Sequence, residues 1–339
     1  MKAQHASVLT DVPGLSVGNA HDTKIGTGVT LILPDKRAVA GVDVRGGGPG
    51  TRETDACAPE TLSNEVDAIV LSGGSAYGLE AASAVTNWLG VKGRGFRFPK
   101  LEMVAPIVPA AILFDLANGG NKAWGESPPY ARLAREACEQ ATSAAFPLGN
   151  VGAGYGATAG QLKGGLGSAS ISLEDGLVVG ALIAVNAVGS TLIPGTDCFW
   201  AWPFEQESEF GAKRPSAGSL DLTDPMGETK AAGRIPNQNT SIGLVATNAP
   251  LTPAEAKRIA IMAQDGLARA IRPVHTPMDG DTLFALSTHF DDGTTGSDYL
   301  TIAKIGAVAA DCVARAVARG VYEAKSLWHT PSYQAQYGA

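Results

Sequence analysis

Apolar and polar positions along the chain change period from two to between three and four, so strands and helices can be read off in turn. β-branched runs at Gly28–Leu33 and Ala38–Val44, on either side of Pro34-Asp35, predict two strands that suit a hairpin. The second runs into a glycine turn, Gly46-Gly47-Gly48-Pro49-Gly50. Ala68–Leu71 reads as a buried strand, and Ser72-Gly73-Gly74-Ser75 after it opens an apolar helix near Tyr77 to Leu89. A further helix fits Tyr130 to Ala145. The stretch from Gly149 to Ser170 is glycine-dominated and too rich in glycine for regular structure, and strand-like runs follow at Ala169–Ser172 and Leu177–Val188.

Between Phe204 and Asn239 the apolar periodicity gives way to charged residues, Pro, Gly, Ser and Asn, as in Glu205-Gln206-Glu207-Ser208-Glu209 and Arg234-Ile235-Pro236-Asn237-Gln238-Asn239. A segment of this length without a pattern is usually functional or mobile. Order resumes at Thr240, where the run to Asn248 reads as a strand. Thr252-Pro253-Ala254-Glu255 then has capping-box spacing with Pro at the first helical position, and a helix follows to about Ala270. Leu283–Ser287 is a strand, and Asp298–Ala318 a long helix with Ile302, Ile305, Ala309, Val313 and Ala316 on one face. Mixed strands and helices with hairpin signals predict a layered α/β (α+β) domain, and there is no internal repeat.

Composition narrows the function. With 339 residues, 45% of them hydrophobic, the chain can bury a sizeable core. Its 42 glycines lack a collagen period and mark tight turns and close backbone approaches. The net charge of −7 comes without any basic run, which argues against a nucleic-acid partner. The lack of any apolar stretch of about 18 residues, and a polar start at Met1-Lys2-Ala3-Gln4-His5, lead us to expect a cytoplasmic protein with no membrane partner. Cys57, Cys138, Cys198 and Cys312 are too scattered for a metal knuckle or redox pair, so buried thiols are expected.

The Asn239-Thr240 junction sets a hydroxyl residue at the end of a polar segment and the start of a core strand, the arrangement that self-cleavage needs. In that reaction the Thr240 hydroxyl attacks the Asn239 carbonyl, amide becomes ester, and water releases a new N-terminal threonine. Its α-amino group, titrating near ~7.7 to 8.0, can then act as the base for attack on a substrate amide. A threonine opening a strand is nonetheless commonplace, and this junction alone does not decide the matter.

Other words in the chain add weight. They are Val44-Arg45-Gly46-Gly47 with Pro49-Gly50-Thr51-Arg52-Glu53-Thr54-Asp55, Leu71-Ser72-Gly73-Gly74-Ser75-Ala76-Tyr77-Gly78-Leu79-Glu80, and Pro106-Ile107-Val108-Pro109 through Phe114-Asp115. Gly152-Ala153-Gly154, Lys163-Gly164-Gly165-Leu166-Gly167, Val185-Asn186, Asn239-Thr240 and His275-Thr276-Pro277-Met278-Asp279-Gly280-Asp281 follow in order. Spread from about Leu9 to Gly320, this set resembles the P1 (DmpA-like) peptidase family. That family comprises self-processing hydrolases of the N-terminal-nucleophile type: L-aminopeptidase/D-amidases, β-peptidyl aminopeptidases and 6-aminohexanoate-oligomer (nylon-oligomer) hydrolases.

The resemblance implies a four-layer αββα sandwich like that of ornithine acetyltransferases. It also implies one domain, 1–339, processed into chains 1–239 and 240–339, and a homo-oligomer, often a tetramer. It implies Thr240 as nucleophile, Asn186 as oxyanion donor, and Asp279 and Asp281 as residues that orient the new amine or the nucleophile, with no cofactor. Lys163, Tyr155, Phe114 and Gln161 are the substrate-binding candidates; Phe114 and Gln161 stand where nylon-oligomer hydrolases carry a tyrosine and a lysine, while the two aspartates match that branch.

Blander readings accompany these roles. Asn186 could cap a turn, and Asp279-Gly280-Asp281 could be a plain turn; a calcium loop would need further oxygen ligands and a closing Glu, so no metal is expected. His275 reads as a structural or hydrogen-bonding residue rather than a base. Ser72-Gly73-Gly74-Ser75 could hold phosphate, yet no dinucleotide fingerprint or Walker lysine accompanies it. The expected substrate is a small amide, short peptide or amide oligomer; acyl transfer and non-catalytic small-molecule binding are the alternatives.

Overall fold

The computed structural model of the chain describes residues 7–63, 65–216, 223–230, 239–289 and 296–338. In chain order its first elements are β1 (Leu15–Asp22), β2 (Thr27–Pro34), β3 (Ala38–Val44), β4 (Thr51–Arg52), β5 (Glu65–Val66), β6 (Ile69–Ser72), α1 (Glu80–Val91), β7 (Phe96–Arg97), β8 (Val104–Ala105), β9 (Ala110–Ile112) and α2 (Tyr130–Glu139). They continue with β10 (Thr158–Ala159), β11 (Leu162–Lys163), β12 (Gly165–Ser172), β13 (Val178–Asn186), β14 (Thr240–Thr247), α3 (Pro253–Ala270), β15 (Thr282–Ser287), α4 (Tyr299–Tyr322) and α5 (Tyr333–Tyr337).

Two mixed sheets dominate, with strand orders β1-β2-β6-β9-β4 and β12-β13-β14-β15-β3-β5. Alternate residues of a strand point to opposite faces, so the neighbours of each residue show which layer it joins. Leu182, Ala184, Ile242, Leu244 and Phe284 of the second sheet pack with Leu15, Val17, Ile32, Ile69 and Leu71 of the first, forming the layer between the sheets. The intervening residues Ala181, Ile183, Val245 and Ala285 face Ile259 and Ala263 of α3 and Ile305 and Val313 of α4. On the far side, Val29, Leu31 and Val70 face Val85 of α1 and Leu133 and Ala137 of α2. The result is the αββα sandwich that the resemblance implied. Among the described residues no helix is long and apolar enough to cross a membrane.

The sequence expectations need three corrections. β2 and β3 do not form a hairpin: β2 pairs with β1 and β6 in one sheet, while β3 pairs with β15 and β5 in the other. Both faces of β2 are buried, so it needs neighbours on each edge, and Pro34-Asp35 carries the chain across to the second sheet. The glycine-dominated stretch is partly regular, because β12 begins at Gly165. A Cβ at Gly165 or Gly167 would overlap the main chain of Gly320 or Ala316, so these glycines let α4 lie directly on the strand. Finally, α2 stops at Glu139 because Thr142 is drawn into a bridge with Val17, each N–H donating to the other's carbonyl at 2.9 and 3.1 Å. The capping box at α3 forms as its spacing predicts, with Glu255 N donating to Thr252 Oγ1 at 3.3 Å and Thr252 N to Glu255 Oε2 at 2.8 Å.

Candidate active site at the end of the inter-sheet layer

β13 and β14 run antiparallel, and their register sets Asn186 directly opposite Thr240. Side chains opposite one another in such a pair share a face. Two residues inward, Ala184 and Ile242 lie in the layer between the sheets, so Asn186 and Thr240 end that layer. Both are buried. The Thr240 hydroxyl lies against the carbonyl oxygen of Asn239, the residue before it, and the Asn239 side-chain oxygen is buried without a hydrogen-bond partner.

On its other edge β14 pairs in parallel with β15, Ile242 beside Thr282, so both strands start at the same end of the sheet. The segment entering β15 therefore brings Asp279 and Asp281 to the start of β14. Asp281 Oδ1 accepts from Ser241 N at 2.8 Å, and its Oδ2 accepts from His275 N at 3.1 Å and lies 2.8 Å from His275 Nδ1. Asp279 Oδ2 accepts from Thr276 N at 3.0 Å and Thr276 Oγ1 at 2.7 Å; its Oδ1 accepts from Val188 N at 3.2 Å, just beyond β13. Burial first, and then the neighbouring Asp281 carboxylate, push the Asp279 carboxyl above the usual range, against the pull of its Thr276 and Val188 bonds. His275 has the hydrogen-bonding position read from the sequence.

The glycines around the aspartates are sites of close approach. A Cβ on Gly280 would stand 2.7 Å from Thr240 Oγ1 and from the Gly48 carbonyl, and one on Gly46 would overlap the Asp279 and Asp281 main chain. The Gly46-Gly47-Gly48 turn is stitched to the same segment by Arg45 N to Asp281 O at 2.9 Å and Gly48 N to Asp279 O at 2.7 Å.

Asn186 is a hub. Its Nδ2 donates to the Phe114 carbonyl at 3.0 Å, while Oδ1 accepts from Thr158 N at 2.9 Å, Lys230 Nζ at 3.1 Å and Asn118 Nδ2 at 3.3 Å. The backbone N–H of Thr158 can only donate, so it sets which end of the amide is oxygen. Lys230 and Asn118 in turn line a cleft of about 370 Å³ with Thr158, Gln161, Trp328 and His329.

The structure thus brings together Thr240, Asn186, Asp279 and Asp281, with Phe114 joining through its main-chain carbonyl and Gln161 on the cleft wall. Lys163 is elsewhere in the fabric: its ammonium is buried and donates to the carbonyls of Ala157 and Gly164 at 2.7 Å and Gly154 at 3.2 Å. Burial pushes its proton affinity down to about 7. Tyr155 is buried with its ring stacked on His21, centroids 4.5 Å apart. Neither lines the cleft. Sequence reasoning missed Lys230 and Asn118; neither sits in a periodic run or a recognisable motif.

Comparison with known proteins adds a decisive observation, since the model of peptidase family S58 matches residues 7–332. The chain belongs to peptidase family S58. Among its S58 relatives is an uncharacterised aminopeptidase of Mycobacterium tuberculosis, 42% identical over 97% of this chain and 97% of that one. Another is the 6-aminohexanoate-oligomer endohydrolase of Kocuria sp., 31% identical over 82% of this chain and 74% of that one. Solved structures share the fold, two of them enzymes by their descriptions. The β-aminopeptidase of Burkholderia sp. matches with a TM-score of 0.74 at 20% identity, covering 98% of this chain and 92% of that one. The L-aminopeptidase D-Ala-esterase/amidase of Ochrobactrum anthropi, described as a variant of the Ntn-hydrolase fold, matches with 0.69 at 23% identity over 96% and 89%. Membership of S58 makes the protein a hydrolase of peptide or amide bonds.

Proposed function

We propose that the protein cuts itself between Asn239 and Thr240 and then uses Thr240, as the N-terminal residue of the second chain, to hydrolyse small amides, short peptides or amide oligomers. The observation that carries this reading is the placement of the Thr240 hydroxyl against the Asn239 carbonyl, at the buried start of a strand whose next amide is held by Asp281. Attack on that carbonyl gives an ester, and hydrolysis leaves a free threonine amine close to two carboxylates. The amine accepts the hydroxyl proton as Thr240 attacks a substrate carbonyl and passes it to the leaving nitrogen, and water then cleaves the resulting acyl-threonine ester to release the acid and restore the hydroxyl.

In this reading Asn186, side by side with Thr240 across the strand pair, supplies an amide N–H to the oxyanion, a donor whose loss typically costs ~10²–10³ in rate. Asp281 fixes the start of β14 through Ser241 N, and Asp279 sets the end of β13 through Val188 N. The aminopeptidase and 6-aminohexanoate-oligomer hydrolase relatives support an amide substrate, and we place the enzyme in the cytoplasm as a homo-oligomer of processed protomers. Intact-mass measurement of purified protein is expected to give two fragments meeting at Asn239 and Thr240. Thr240→Ala is expected to remain one chain without turnover, and Thr240→Ser to keep part of both activities. A Thr240→Ala variant that still hydrolyses aminoacyl amides would exclude Thr240 as nucleophile.

A further inference from the structure

Asn186 can serve a developing oxyanion only with its nitrogen turned to the reacting carbonyl, and an amide has two orientations of nearly the same shape. Three donors gathered around Oδ1 select one of them: Thr158 N at 2.9 Å, Lys230 Nζ at 3.1 Å and Asn118 Nδ2 at 3.3 Å. Lys230 stands apart in this set because, when protonated, its amine makes hydrogen bonds roughly twice as strong as neutral ones. The same Nζ donates to the Asn186 main-chain carbonyl at 3.2 Å, so one amine holds both the side chain and the backbone of that residue.

Lys230 is itself held in place. Its N–H donates to the Val188 carbonyl at 3.1 Å, and the Val188 N–H donates to Asp279 at 3.2 Å. Lys230 and Asp279 therefore grip the same short segment after β13. Loss of water pushes the amine down to about 7, the Asp279 carboxylate favours its charged form, and Lys163 opposes it.

We infer that Lys230 is a positioning residue of this hydrolase: it locks the Asn186 amide with Oδ1 on these donors and its NH2, which here donates to the Phe114 carbonyl at 3.0 Å, as the oxyanion donor, and it joins that amide to Asp279 through the Val188 segment. This rests on the reading of Thr240 and Asn186 given above. Lys230 need not touch substrate for this; it acts through Asn186. It belongs to the polar segment that precedes the scissile bond, so that segment contributes to the site as well as carrying the cut.

The test is steady-state kinetics on processed enzyme with an aminoacyl anilide that the wild type turns over, comparing Lys230→Met, Lys230→Arg, Asn186→Ala and the Lys230→Met/Asn186→Ala pair. Loss of the amine is expected to lower kcat about tenfold or more, with KM within about twofold and an unchanged Tm. Arginine is expected to recover part of the loss. In the Asn186→Ala background the methionine substitution is expected to cost under about twofold, since the amide it positions is gone.

Wild-type kcat in Lys230→Met would overturn the inference, as would the two single effects multiplying in full. A rise in turnover would also overturn it, showing instead that the lysine obstructs the cleft. Lys230→Gln takes the place of the methionine variant if that fails to fold, with the same expectations. An active Thr240→Ala would sink the underlying reading, whereas an inactive Thr240→Ala beside a fully active Lys230→Met would sink the Lys230 assignment alone.

Discussion

Two of the charged clusters among the described residues are built on opposite principles. Where α4 covers β12, Arg315 grips Glu209 with two bonds, Nε to Oε1 at 2.6 Å and Nη2 to Oε2 at 3.0 Å, and Arg319 Nε stands 3.4 Å from the same carboxylate. The spare Arg315 donors reach the Ser170 carbonyl at 2.9 Å and Ser7 Oγ at 3.1 Å. Opposite charges meet, and the Arg315 donors find acceptors. At the end of the inter-sheet layer, by contrast, two carboxylates lie side by side, a partly dehydrated amine shares an amide oxygen, and the Asn239 side-chain oxygen has no partner. The first arrangement is what stability selects. The second sets two carboxylates together and moves the Asp279 carboxyl up and the Lys230 amine down, which is characteristic of reactive sites, whereas in the first burial lowers Arg319 and its partner Glu209 opposes the shift.

If that division is right, the outer cluster governs stability and leaves chemistry alone. Glu209→Ala strands the buried Arg315 and the half-buried Arg319, and breaking a buried pair costs ~3–5 kcal/mol. Denaturant unfolding in the Thr240→Ala background, where the chain is expected to stay whole, measures this. Turnover per folded molecule, measured with Thr240 intact, is expected to be unchanged. A fall in kcat larger than the folded fraction explains would merge the two clusters into one functional unit. Glu209 precedes the proposed cut and Arg315 follows it, so the same variant is expected to loosen the association of the two fragments.

The inner cluster is expected to behave the other way round. Asp281→Asn keeps the shape but leaves one acceptor oxygen where the carboxylate serves Ser241 N, His275 N and His275 Nδ1. The expected result is a fall in kcat of about two orders of magnitude, equivalent to about 2.7 kcal/mol of transition-state stabilisation. Stability is expected to fall by about 1–3 kcal/mol, since a buried donor loses its acceptor. A large loss of stability with intact kcat would make Asp281 a strut like Glu209.

The sequence exposed these two regions unequally. Thr240, Asp279 and Asp281 stood out through the family resemblance; the pattern alone, a polar segment meeting a strand and a glycine dividing two acids, left a commonplace strand start and a plain turn open. The glycine turn at 46–48 was visible too, but only its packing against the Asp279–Asp281 main chain explains why no side chain fits. Lys230 gave no signal, since one lysine among charged and small residues carries no period; it becomes visible only when the backbone brings it to Asn186. β1 was missed for a related reason. Its centre, Gly18-Asn19-Ala20, has poor strand propensity, and a Cβ at Gly18 would overlap the Ala137 carbonyl of α2. The hairpin expectation for β2 and β3 failed because local turn chemistry does not distinguish strands that pair from strands that part into two sheets.

The smallest effect is the one whose sign best separates the clusters. With its folded-state proton affinity raised by burial and by Asp281, the Asp279 carboxyl binds its proton more tightly in the native chain than in the unfolded one. As pH rises from the ordinary carboxylate range through that raised value, the folded state has to give up the proton at a cost, and stability falls; above it the penalty stays constant. The carboxamide introduced by Asp279→Asn does not titrate. The stability of the variant relative to wild type is therefore expected to move in the variant's favour as pH rises from the ordinary carboxylate range through that raised value, while its turnover drops. Denaturant unfolding across that range, again in the Thr240→Ala background, reads the slope. A slope of the opposite sign would mean that Asp279 is stabilised as a carboxylate by its surroundings, and the contrast with the paired charges of the outer cluster would disappear.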